Sequence, residues 1–135
     1  MTEVLAAIKS KYDGNAAMQN GLTGGLNLLY AGQSKSMPYA VLTPIGAAPE
    51  FNTGDKYIQP VAISVTFYAA TFEELAPIVE RWKHEMTYRP LPLATGRAMA
   101  VELTNENSFY NADENEAYSS FVYAQDYTIH SLQTL

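Results

Sequence analysis

Cysteine is absent from all 135 residues. That excludes disulfide staples and thiolate metal sites, and it agrees with folding in a reducing cytoplasm. Charge is scarce as well: Asp, Glu, Lys and Arg make up 16% of the chain, against 47% hydrophobic residues. A surface with so few charges leaves apolar area for partners. No run approaches the ~20 apolar residues that span a bilayer, and Met1 to Val4 lack the basic start of a secretion signal. The sequence reads as soluble and unprocessed, with no membrane partner. Bases are missing from one end altogether. The last Lys or Arg is Arg97, so residues 98 to 135 carry acids alone, and the net charge is -6. Binding along a nucleic acid needs clustered cations to displace phosphate counterions, and no such stripe exists.

What is present fits one domain over residues 1–135, below the size at which a second core forms. Val4, Leu5 and Ile8 recur at helical spacing after Thr2, with Tyr12 a turn later and Asp13-Gly14 as a stop, which predicts a helix over 2–13. Asn15 to Asn20 adds one turn, and Leu26 to Tyr30 reads as an edge strand after Gly24-Gly25. A strand over 38–45 begins at Pro38, where a missing N–H is harmless. Gly46 to Lys56 reads as a mobile loop. From Val61 the alternation is clean: Val61, Ile63, Val65 and Phe67 share one face, and Ala62, Ser64, Thr66 and Tyr68 the other. Thr71 and Glu74 form a capping box, and Leu75, Ile78, Val79, Trp82 and Met86 make one stripe of a helix over 72–88. Pro77 costs that helix roughly 3 kcal/mol and predicts a kink or late start. About 1.5–3 kcal/mol for each large buried side chain offsets it. Met99, Val101 and Leu103 mark the next strand, Asn105 to Asn115 a polar break, and Phe121 to Ile129 a final strand interrupted at Gln125. The last two strands form an antiparallel hairpin. The fold class is α+β, a mostly antiparallel sheet with one or two helices on one face.

No constellation for catalysis emerges. His84 and His130 lack the three-ligand spacing of catalytic zinc. Asp113, Glu114 and Glu116 sit in a wet loop, not in the apolar pocket that raises a general acid. Gly21, Gly24 and Gly25 follow a helix and precede Leu26, unlike a phosphate loop, and no Gly-x-Ser-x-Gly elbow exists. The expectation is a protein that is not an enzyme and holds no cofactor or metal. Tyr110, Tyr118, Tyr123 and Tyr127 crowd the acidic end without the cationic groove that single-strand binding needs, so they belong to sheet packing or a protein interface.

The run Leu28-Leu29-Tyr30, then Met37-Pro38-Tyr39-Ala40-Val41-Leu42, then Val61 to Tyr68 leading into Thr71-Phe72-Glu73-Glu74-Leu75 resembles the phage tail-terminator or tail-completion family of siphophages and related myophages. The likeness covers nearly the whole chain and is one of pattern. Pro77 and the long polar segment depart from its simplest form. The resemblance implies a subunit that forms a ring, a hexamer, on the end of the tail tube. That ring stops tube polymerisation and offers a surface joining tail to head. Its partners would be other copies, the tail-tube protein and head-tail connector proteins, with DNA only as passing cargo. Its location would be the virion tail or neck, after assembly in the host cytoplasm. The same pattern suits a connector or neck protein, a tail-tube subunit, or a non-viral ligand-binding α+β domain.

Within that ring reading, Glu50, Phe51, Asp55 and Lys56 supply interface chemistry on the 46–56 loop. Glu106, Asp113, Glu114 and Glu116, in or beside a polar turn with no nearby base, face solvent or line a lumen, where anionic walls repel passing phosphates over roughly 8–10 Å.

Overall fold

The computed structural model describes residues 2–31, 36–47, 51–53, 56–88, 91, 97–112, 114 and 119–134. The chain opens with α1 (Thr2–Asp13) and the single turn α2 (Ala16–Gln19), as the spacing predicts. Asn15 separates them: its side-chain oxygen accepts from the amides of Ala17 and Met18, satisfying donors that the helix start leaves free. Strands β1 (Leu26–Leu28), β2 (Tyr39–Ala47), β3 (Phe51–Thr53) and β4 (Lys56–Ala69) follow, then α3 (Phe72–Tyr88), β5 (Arg97–Asn111) and β6 (Ser120–Thr134).

The sheet runs β1-β2-β4-β6-β5, with β3 on β4 beyond the end of β2. Every pairing is antiparallel except β1 on β2. The fold class is the expected α+β. Gly24 makes the entry to β1 possible: a Cβ there would stand 2.2 Å from the Ser36 carbonyl oxygen and 2.7 Å from Tyr39 Cβ. Its amide instead donates to the Pro38 carbonyl at 2.9 Å.

One face of the sheet carries the core. Val61, Ile63, Val65 and Phe67 are all fully buried, joined from β6 by Tyr127 and Ile129 and from the helices by Val4, Ile8, Leu75, Val79, Trp82 and Met86. The predicted α3 stripe is the stripe that packs. Thr71 caps this helix by accepting from the Glu74 amide at 3.4 Å.

Four expectations are corrected. The helix does not start late: it runs from Phe72 through an exposed Pro77, and the buried stripe of Leu75, Ile78, Val79, Trp82 and Met86 offsets the lost hydrogen bond. The 46–56 segment is not simply a loop: β2 runs to Ala47, and Phe51–Thr53 pairs with Lys56–Ile58. The polar break at 105–115 is strand up to Asn111, because β6 offers a partner for every residue there. Gln125 does not interrupt β6. It is fully buried, donates to the Val79 carbonyl at 3.0 Å and accepts from the Tyr127 hydroxyl at 2.7 Å, so its polar atoms are satisfied inside the core.

Candidate functional site

Alternation along β4 sends Ala62, Ser64, Thr66 and Tyr68 to the face opposite the helices, and among the described residues no element covers that face. Tyr39 and Tyr68 stand opposite each other there and stack, with centroids 4.8 Å apart and planes 17° from parallel. Burial raises the Tyr39 phenol pKa, and the neighbouring Tyr68 adds to it. Beside them a groove of about 270 Å³ is lined by Leu29, Tyr30, Tyr39, Val41, Thr66 and Tyr68.

The wall of that groove is built by a tight turn. Leu29 has a φ of 71°, a conformation that β-carbon sterics disfavour. Its amide donates to the Leu42 carbonyl and that of Tyr30 to the Leu28 carbonyl, each at 2.9 Å. The turn leaves Leu29 61% and Tyr30 79% exposed. Held strain that displays apolar side chains to water is a mark of a contact surface.

The opposite edge of the sheet is β5. Phe109 and Tyr110 are each more than half exposed, and they point to opposite faces. Tyr110 meets Phe121 at 5.1 Å on the helical side, where Phe72 lies 6.4 Å from Phe121. Phe109 stands opposite Val122 on the uncovered side.

Between α3 and β5 a second groove, about 320 Å³, is lined by Glu80, Lys83, His84, Thr87 and Leu103. Lys83 Nζ lies 3.1 Å from the Glu106 carboxylate and 3.3 Å from that of Glu80. The bond to Glu106, more than that to Glu80, raises the Lys83 pKa. Tyr123 is raised first by burial and then by Glu106. The expectation of no base near Glu106 is thus wrong: sequence distance hid Lys83, which α3 brings to the same face of the sheet.

Among the described residues the other predicted positions are not brought together. Glu50, Asp55, Asp113 and Glu116 lie outside the described residues. Phe51 and Lys56 fall at the ends of the small β3–β4 pairing, and Glu114 is exposed beyond β5. His84 rides on the helical layer and His130 on the uncovered face, 3.4 Å from Glu102, so the sheet lies between the two imidazoles. Among the described residues no group of three or more His, Cys, Asp or Glu could hold a metal ion. Among the described residues no helix is long and apolar enough to cross a membrane.

Sequence reasoning passed over Ile45 and Phe109 and named Tyr110 only among the tyrosines of the acidic end. The Phe109-Tyr110 pair inside a run of Asn was the available signal, since adjacent aromatics on a strand must display one ring on each face.

Among the described residues the geometry defines a two-layer α+β domain: helices on one face, no element over the other, and an apolar cluster at each edge. No family model matches the chain, and no curated protein does. Among solved structures it is similar to a chain of the "Virion of native gene transfer agent (GTA) particle", with a TM-score of 0.56 and 16% identity, over 95% of this chain and 97% of that one. At that identity the shared property is the fold.

Proposed function

We propose that the chain is a structural subunit of a phage-like virion, and more narrowly a tail terminator: a ring that caps the tail tube, stops its growth and presents a surface to the head side. The observation that carries the virion reading is the fold likeness to a virion chain along nearly the full length of both chains. The order of elements in the sequence supports the narrower reading. Capping is steric on this account and calls for no catalytic residue, metal or cofactor. Partners would be other copies, the tube protein and connector proteins, with DNA only passing through.

Phe51 and Lys56, with Glu50 and Asp55, are proposed for contact with the tube or a neighbouring copy. Glu114, with Asp113 and Glu116, is proposed for the wall of the passage. Glu106 is a weaker candidate for that wall because Lys83 neutralises it.

Negative-stain microscopy of the purified chain, alone and added to growing tubes, tests the assignment. Closed rings that shorten tubes support it. Long tubes formed by the chain itself indicate a tube subunit, rings that bind heads and leave tube length unchanged indicate a connector, and a monomer that binds a small ligand removes the virion reading.

A further inference from the structure

Among the described residues, five of the seven exposed large apolar side chains gather at the two edges of the sheet, Ile45 on β2 and Phe72 at the start of α3 being the other two. Leu28, Leu29 and Tyr30 lie at the β1 edge of the sheet, and Phe109 and Tyr110 at the β5 edge. An edge strand with apolar side chains invites another strand unless something blunts it. On the β1 side, the stretch of β2 that β1 leaves uncovered is blunted by Pro44 and by a register shift between Pro44 and Gly46. The exposed apolar run at this edge is Leu28–Tyr30. On the β5 side, shifts occur between Ala98 and Ala100 and between Leu103 and Asn105, after which pairing is regular from Asn105 to Asn111. That stretch contains no proline.

The faces of the two edges correspond. Phe109 points to the uncovered face, and the groove beside Tyr30, Tyr39 and Tyr68 opens on that same face. Tyr110 points to the helical face, and so does Leu28, which stands opposite buried Leu42. Laid edge to edge, one copy's Phe109 reaches the next copy's groove while its Tyr110 reaches the next copy's Leu28.

We propose that the β5 edge of one copy docks on the β1 edge of a second copy, with Phe109 seated in the groove formed by Leu29, Tyr30, Tyr39 and Tyr68. The contact is head-to-tail, so each copy keeps one free end of each kind and the series closes only as a ring. The inference deepens the ring reading above and rests on it for closure, although the junction itself does not depend on a tail tube.

Phe109→Asp and Tyr30→Asp test it, both at exposed positions where circular dichroism should report an unchanged fold. Each variant alone should associate roughly 30-fold or more weakly than the wild-type chain, as loss of a central aromatic anchor does. Mixed in equal amounts, the two should give 1:1 dimers in native mass spectrometry and nothing larger, because one good β5 edge meets one good β1 edge. The absence of cysteine allows a second reading: the double variant Tyr30→Cys/Phe109→Cys, oxidised with glutathione disulfide, should form a ladder of linked copies, and neither single variant should. Self-dimers of Tyr30→Asp, a mixture that stays monomeric, or a wild-type chain that never associates would overturn the junction, even where tube capping persists. Rings that form through the junction but leave tube length unchanged would instead remove the capping role and leave the junction standing.

Discussion

The indole of Trp82 donates its Nε1 hydrogen to the main-chain carbonyl of Met18 at 2.9 Å, across 64 positions of sequence. The ring is fully buried, with Phe67 edge-on at 5.3 Å and Tyr12 at 5.9 Å. One side chain thereby binds α3 to α2, to α1 and to the sheet.

Trp82→Ala should cost about 3–5 kcal/mol in urea unfolding. Trp82→Phe keeps much of the volume but removes the donor facing Met18, so it should cost about 1–3 kcal/mol. A loss under about 1 kcal/mol for the alanine variant would show that this face is not the core.

Gln125 and Tyr127 should behave as one unit. Gln125→Ala leaves the buried Tyr127 hydroxyl without its acceptor, and Tyr127→Phe removes the donor that the Gln125 amide oxygen uses. Each single change should destabilise by about 1–3 kcal/mol. The double change should fall short of the sum by roughly 0.5–3 kcal/mol, read from a double-mutant cycle in denaturant. Strict additivity would mean that the 2.7 Å contact contributes nothing.

Alkaline pH should unfold the protein through the same tyrosine. Burial, more than the nearby Glu106, pushes the Tyr127 phenol far above its ordinary value near 10. Below pH 10 folded and unfolded chains both keep this proton; above it the unfolded chain sheds the proton while the folded chain holds it. Stability therefore falls as pH rises past 10, by up to about 1.4 kcal/mol per pH unit from this group. Tyr127→Phe should flatten that decline, as followed by urea midpoints across the alkaline range.

The ion pair of Lys83 with Glu106 should matter little to stability. Both side chains are 31% exposed, and pairs of that kind contribute about 0.2–1 kcal/mol. Glu106→Gln should cost less than about 1 kcal/mol, and the difference should shrink in high salt. A loss of several kcal/mol would mean that the pair is shielded from water.

Much of this fold was legible in the sequence where a side chain's own periodicity decides the element. The stripe from Leu75 to Met86 and the alternation from Val61 to Phe67 predict a helix and a strand that the structure contains. What stayed hidden depends on partners distant in the chain. Asn105 to Asn111 favour turns by themselves and become strand because β6 pairs with each of them. Gln125 reads as a break because its two partners, Val79 and Tyr127, are not evident from hydropathy. The candidate surface is subject to the same limit: Leu28-Leu29-Tyr30 is visible as an apolar run, but only the sheet order places it at the edge opposite Phe109.

That sheet order also sets a timetable for synthesis. β6 follows every other strand in the chain, yet it lies inside the sheet between β4 and β5. Until it leaves the ribosome β5 has no strand to pair with, and the contacts that complete the sheet span long stretches of sequence, which makes them slow to form. The β5 edge is thus a product of finished translation. A chain cut short before β6 would still display Leu28 to Tyr30 but could not offer an ordered Phe109, so it could end a growing series of copies without extending it. Abundant full-length chain, or prompt removal of fragments, would then be a condition for closed assemblies.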